Sequence, residues 1–420
     1  MYHGEINIGR IAPWIMNSWA PSVVSRVEDD GLTHFYMYFS NNGVGVGVIT
    51  STDPITGWTD PLGKPLISES TAGLKDCPNP FDPGAVIDGN GVGWLAFGAG
   101  KAASGTDYMP GSARIVKLGD DMLSLDGDFT VIPAPYNFEA SELNYINGTF
   151  VYTYCSDWND HSKKWEYDCD APAGCGMVYM TTKTPLDPDS WEVKGECFVN
   201  PGLSGFEYSN NHTHLHKYRG KWYMFYHTLA LKHGMGIKGG YRSMGVDEAE
   251  VDEESVAIRK GGATRKGVRA VGSFPPFRAN LAAELNGTAD IGYDLTDPHA
   301  PSVISRGAGA WFSVRGVGFT DSEDGGDAAG TGGNEPVLGR TVGFHASVRG
   351  TGRIEVRLDE PTGEVLTSID FSSPNGYTDI YSDKAAAAGG THDLYFVFSD
   401  KDIAMKSWRF FADEAILPRP

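Results

Sequence analysis

The chain has no run of 18 or more apolar residues among its 420, so nothing in it is long and apolar enough to span a membrane as a helix. Its first residues, Met-Tyr-His-Gly-Glu-Ile-Asn, lack the apolar core of a signal peptide, which points to a cytoplasmic location. Basic residues are scarce: Lys+Arg is 34 against 54 Asp+Glu, a formal net charge of −20. Such a chain repels nucleic acid and anionic membrane rather than binding them, whereas neutral polysaccharide is compatible with it. Cysteine is also scarce. The five, Cys77, Cys155, Cys169, Cys175 and Cys197, are odd in number and irregular in spacing, unlike a disulfide framework. Cys169 and Cys175 have the look of a metal pair, but no second pair has suitable spacing. The reading is free buried thiols in a reducing compartment. No cluster has zinc spacing, no Gly-rich loop has phosphate-loop form, and no Ser-His-Asp ordering is supported. No organic cofactor is expected.

Glycine and aromatics are plentiful: Gly 54, Trp 10, Tyr 19 and Phe 20, as suits a turn-rich all-β protein. The stretch Phe138 to Tyr154 reads as a carboxylate, a strand, an Asn147-Gly148 turn and a second strand. Asn-Gly between apolar runs is a hairpin signal because both residues tolerate positive φ. The unit recurs. Asp82-Pro-Gly-Ala-Val-Ile leads to Trp94-Leu-Ala-Phe. Asn211-His-Thr-His-Leu-His leads to Trp222-Tyr-Met-Phe-Tyr. Trp19-Ala-Pro-Ser-Val-Val leads to His34-Phe-Tyr-Met-Tyr-Phe. These are four copies of one plan: polar head, short strand, tight turn, aromatic strand. A further strand pair follows each. Repeats of this kind indicate a β-propeller, in which the heads of the innermost strands converge on the axis.

At these residues the chain resembles the family 43 glycoside hydrolases, five-bladed propellers that remove arabinofuranosyl or xylosyl units with inversion. The matching pieces are Trp19-Ala-Pro-Ser, Phe81-Asp-Pro-Gly, Phe138-Glu-Ala-Ser, Asn210-Asn-His and Gly240-Tyr-Arg-Ser. The resemblance places blade two at roughly Trp14 to Pro65, blade three at Asp82 to Pro133, blade four at Phe138 to Asn200 and blade five at Ser209 to Arg259. It makes Met1 to Arg10 the outer strand of a first blade that is otherwise incomplete. The propeller domain then covers 1–259. A Gly- and Lys/Arg-rich linker follows at 260–272, and a β-sandwich of jelly-roll type at 273–420, where period-two strands alternate with turns. This second half resembles a family 6 carbohydrate-binding module at Ala283-Glu284, Ile354 to Asp359, Asn375-Gly-Tyr and Gly390 to Phe398.

Inversion needs two carboxyl groups, one to protonate the leaving oxygen and one to deprotonate a water. The resemblance makes Glu139 the general acid and Asp82 the residue that raises its pKa and orients it. Glu142 is the local rival; strand alternation puts it on the face opposite Glu139. Arg242 matches an arginine that holds pocket carboxylates and sugar hydroxyls. Trp19 and Phe138 line the sugar pocket. His212 matches a central histidine that contacts calcium and its waters; His214 lies two residues on, on the same strand face. In the second half, Glu284 matches a ligand of a structural calcium and Tyr377 an aromatic that stacks on sugar. Trp311 is a second stacking candidate or a core residue. Trp158, Trp165 and Tyr167 in the insertion Asp157 to Gly174 either stack on sugar or fold over one another.

The implied function is hydrolysis of terminal α-L-arabinofuranosyl or β-xylosyl units of arabinoxylan-type oligosaccharides. The alternative is a catalytically impaired sugar-binding protein, because no residue matches the catalytic base: Asp29 and Asp30 fall in the turn of blade two and Glu5 in an outer strand. The same reading expects an incomplete ring, with a homo-oligomer covering its open edge.

Overall fold

The computed structural model describes residues 6–102, 111–238, 242–268, 271–273, 276–294, 297–319, 340–382 and 386–412. They divide into two compact units, one of residues 2–227 with 244–263, the other of 228–243 with 264–420.

In the first unit the four repeats become four small antiparallel sheets. The first is β1 (Ser18–Val27), β2 (Thr33–Asn41), β3 (Gly45–Ser51) and β4 (Ile67–Ser68). The second is β5 (Gly84–Ile87), β6 (Gly93–Phe97), β7 (Arg114–Leu118) and β8 (Leu125–Val131). The third is β9 (Asn137–Ile146), β10 (Thr149–Ser156), β11 (Met177–Thr182) and β12 (Glu192–Phe198). The fourth has three strands, β13 (His214–Tyr218), β14 (Lys221–Thr228) and β15 (Ser243–Ala249). The leading strands lie side by side, β1 against β5 and β5 against β9, which is the propeller arrangement. Between the sheets the aromatic second strands supply the packing, with Tyr38 and Phe97 in one layer and Tyr152 and Tyr154 in the next, joined there by Trp191 from just before β12. The Asn147-Gly148 turn forms as its sequence requires, with φ of 47° and 76° joining Ile146 to Thr149.

Two local expectations differ. In the segment read as an outer strand, Ile8–Ile11 is a single helical turn, begun by the Asn7 side chain accepting from Arg10 N. Residues 1–5, Glu5 among them, lie outside the described residues. In Asp53-Pro-Ile-Thr-Gly-Trp, which resembles the usual turn before an outer strand, the Asp53 carboxylate accepts from Ile55 N and Thr56 N. The outer strand, however, is Ile67–Ser68 rather than the chain at Trp58, which is buried and joined to the sheet edge through the neighbouring Thr50–Thr59 bridge.

The second unit is one large sheet curled into two layers around Phe312, Phe344, Phe396, Trp408 and Phe410, the expected sandwich. Leu231 and Met235 of the helix Ala230–Met235 pack into the same core. The period-two pattern reads 341–348 and 352–358 as two strands with a turn between them, but they form one long strand, Arg340–Leu358. Its first half pairs with Ala404–Ala412 and its second half with Thr391–Phe398. Gly350 and Gly352, with φ of 110° and 149°, make the bend that lets one strand serve both layers. Part of the expected linker is also sheet-bound, since Val271–Gly272 pairs parallel with Val317–Gly318. The acidic Gly-rich stretch 321–333 lies outside the described residues.

Candidate active site

Three inner strands carry a residue in the left-handed region at or near their heads: Ala20 (φ 39°) in β1, Asp82 (φ 52°) two residues before β5, and Ala140 (φ 68°) in β9. On β1, Trp19 pairs with Ser40 but Ser22 with Tyr38, so one extra residue is inserted. On β9, Glu139 pairs with Cys155 but Glu142 with Thr153, another single-residue bulge. Bulges re-aim the side chains beside them. Simple alternation therefore fails between Glu139 and Glu142. The expectation that only one of them engages the inner cluster is corrected: both meet the lead segment of β13.

That lead segment is extended, and its alternate residues face three carboxylates. Asn210 Nδ2 donates to Glu139 Oε1 at 2.7 Å. His212 Nδ1 stands 3.9 Å from Asp82 Oδ2. His214 Nδ1 is 2.7 Å from Glu142 Oε1. The intervening Asn211 and Thr213 are buried. Asp82 is itself clamped: its N–H donates to Ser40 Oγ at 2.8 Å, and its Oδ2 accepts from Ala140 N at 2.9 Å. Ser22 Oγ accepts from Ala85 N at 3.0 Å. Each sheet thus holds the strand head of the next. Asp82 fixes the backbone directly after Glu139, and Asn210 fixes Glu139's carboxylate. Gly84 makes this possible, because a Cβ there would lie 2.5 Å from Glu142 Cα, so β5 and β9 approach where no side chain fits. Glu142 holds the pKa of His214 above its ordinary value by charge attraction.

Aromatic rings flank these heads. Trp19 is 41% exposed and meets Phe81 edge-on at 6.1 Å between centroids. Phe138 meets Trp158 edge-on at 6.2 Å, and Trp158 leans on Tyr208 at 6.1 Å. Trp158 and Tyr208 are both exposed. Trp165, in contrast, packs against Tyr136 and Tyr167 within the insertion. Trp165 and Tyr167 therefore fold over one another, while Trp158 stays exposed beside Phe138. The backbone of Phe138 is tied to the second sheet, its carbonyl accepting from Gly100 N at 2.8 Å.

Arg242 is exposed immediately before β15 and counts with the second unit. Gly240 and Tyr241 of its motif lie outside the described residues. Tyr377 donates to or accepts from Ser302 Oγ at 2.6 Å, and its ring has Lys406 Nζ at 5.4 Å and the Arg349 guanidinium at 5.7 Å. A ring engaged by cations offers less free face for a sugar. Trp311 stands edge-on to Tyr395 at 5.2 Å, half-buried.

Calcium takes six to eight oxygen ligands. Among the described residues no group of three or more His, Cys, Asp and Glu gathers as a metal site. Both oxygens of Glu284 are paired with cations, Oε1 with Arg265 and Oε2 with Arg315, each at 2.7 Å. Two guanidinium groups stand where a cation would bind, so this donor set does not fit calcium and the expectation for Glu284 is corrected. At His212 the neighbouring protein oxygen is that of Asp82.

Sequence reasoning missed Asn210 as Glu139's partner, the Glu142–His214 pair and Tyr208. The alternation 210, 212, 214 was the available signal; its register against β9 was not.

Small sheets around an axis, with carboxylates held at the inner strand heads, are the build of a propeller glycosidase. The chain belongs to the glycosyl hydrolases family 43, whose profile matches residues 9–254. It is 32% identical over 413 residues to an arabinoxylan arabinofuranohydrolase of Bacillus subtilis (strain 168), covering 94% of this chain and 74% of the relative. It is 30% identical over 425 residues to an arabinoxylan arabinofuranohydrolase of Paenibacillus polymyxa, covering 96% of this chain and 62% of that one. Among solved structures, it is similar to a Bacillus subtilis family 43 arabinoxylan arabinofuranohydrolase in complex with cellotetraose. That match has a TM-score of 0.72 and 30% identity, and covers 97% of this chain and 82% of the other.

Proposed function

We propose that the chain acts on arabinoxylan-type oligosaccharides at terminal α-L-arabinofuranosyl or β-xylosyl units, with inversion. Glu139 protonates the leaving oxygen and Asp82 orients it. The observation that carries this reading is the clamp on Glu139, whose backbone is followed by Asp82's acceptor contact and whose carboxylate is met by the neutral amide of Asn210. That contact fixes where the carboxyl group points, as delivery of a proton to the leaving oxygen requires. Exposed Trp19 and Trp158 with Phe138 present ring faces and edges to the sugar. The named relatives, arabinoxylan arabinofuranohydrolases, favour the arabinofuranosyl unit. No step of this reading runs through calcium.

The second reading is a sugar-binding protein with impaired turnover, whose site is not completed by a catalytic base. Base catalysis contributes about 10²- to 10⁴-fold. The test is turnover of nitrophenyl α-L-arabinofuranoside and β-xyloside, with and without azide as a small replacement nucleophile. Turnover near background that azide raises supports a bound, acid-competent site lacking its base. Full turnover without azide overturns the second reading. Absence of both turnover and oligosaccharide binding by calorimetry overturns the first. The face of β1 leaves Val23 and Val27 exposed, and a second copy covering it is proposed as the oligomer, to be tested by light scattering.

A further inference from the structure

Cys155 and Cys175 stand twenty residues apart in sequence, yet their sulfurs are 3.0 Å apart with both side chains buried. They bracket the insertion that carries Trp158 to the side of Phe138. The base of this insertion is drawn together around them: Ser156 N donates to Gly176 O and Cys175 N to Asp157 O. Cys175 holds a φ of 55°, a conformation that costs a residue with a side chain, and it is this bend that sends the chain back to Cys155. Other cysteines do not compete. Cys197 Sγ points to the Met177 carbonyl, and Cys169 lies against Gly195.

Both partners also touch the framework of the candidate acid. Cys155 is the cross-strand partner of Glu139 at the β9 bulge. The Cys175 carbonyl accepts from Asn200 Nδ2, which also donates to Ser209 O, directly before the Asn210 that holds Glu139.

We propose that Cys155 and Cys175 are a thiol–disulfide pair whose oxidation staples the base of the 157–174 loop. The co-reactant is a small disulfide, R–S–S–R. One cysteine thiolate attacks it, forming a mixed disulfide and releasing one R–SH. The second cysteine then attacks the protein sulfur of that mixed disulfide and releases another R–SH. The two cysteines lose two electrons and two protons, and the reagent gains them. Burial keeps the Cys155 thiol well above its ordinary pKa, so exchange waits on opening of the loop.

The experiment uses the full chain, incubated in oxidised or in reduced glutathione, then unfolded, alkylated and mapped by mass spectrometry. The expected result after oxidation is a Cys155–Cys175 cross-linked peptide lighter by two hydrogens, with Cys77 and Cys197 alkylated. Trypsin cleavage at exposed Lys163 and Lys164 should leave the two halves joined on a non-reducing denaturing gel and separate after reduction. The melting temperature of the oxidised protein should rise by about 5 °C. Cys175→Ser should abolish both the rise and the linkage, and Cys197→Ser, in the same core, should keep both. Complete alkylation of Cys155 and Cys175 after oxidation overturns the proposal, as does a stable glutathione adduct or a link from Cys155 to Cys169 or Cys197. The readout is covalent and does not depend on sugar hydrolysis.

Discussion

At Glu139, in the propeller-like unit, the carboxylate meets an amide; at Glu284, in the sandwich, it meets two guanidinium groups. Both positions carry a glutamate that sequence resemblance ties to function. The surroundings separate them. At Glu284 the carboxylate is a strut that joins Arg265 and Arg315, while Arg315 also pairs with Asp393. At Glu139 an amide on the carboxylate and a clamp on the following backbone fix where the carboxylate points. The side chains opposite each glutamate therefore give the two residues different surroundings.

The sharpest way to break that contrast is to treat the two glutamates alike. Glu139→Gln should lower turnover by about 10²- to 10⁴-fold with little change in melting temperature, whereas Glu284→Gln should leave turnover unchanged and lower the stability of the sandwich. Aryl-glycoside kinetics beside calorimetric melting separates the two, and equal effects at both sites would end the distinction. A backbone test comes next. Gly84→Val should destabilise the first unit by about 3 kcal/mol in urea unfolding, because the added carbon would strike the backbone of Glu142, which cannot swing aside. A smaller loss is expected from Arg315→Ala, which leaves Glu284 with Arg265 alone: about 1 kcal/mol, read from the same urea midpoints, for a pair only partly shielded from solvent.

The smallest effect is a pH dependence. His214 gains Glu142 on folding, so its folded pKa lies above its unfolded value. The stabilisation is complete below about 6.5 and is lost as pH rises through the raised folded value. Because His214 is half exposed, the contribution is discounted to about 0.5 kcal/mol or less. His214→Gln should flatten the difference in melting temperature between mildly acidic and alkaline buffer; an unchanged slope would remove the pair from the account.

What the sequence by itself determined is what depends on near neighbours. The Asn147-Gly148 turn follows from two residues that accept positive φ. The four strand-turn-strand copies follow from alternation and turn chemistry, and so does the all-β class. The strand-head positions of Glu139 and Asp82 were legible because a motif such as Phe138-Glu-Ala-Ser sits at a strand head wherever that strand lies. Only the tertiary structure decided the rest. An inserted residue at Ala140 resets the facing of Glu142, and an insertion of one cannot be seen in a strand until its partner strand is known. Gly350 and Gly352 turn two expected strands into one, because a bend looks like a turn until both of its neighbours are in register. Asn210 on Glu139, Arg265 and Arg315 on Glu284, and Cys155 beside Cys175 are contacts across long stretches of chain. Period and propensity act over a few residues. Which charge or sulfur stands opposite a given side chain is set by how whole sheets pack.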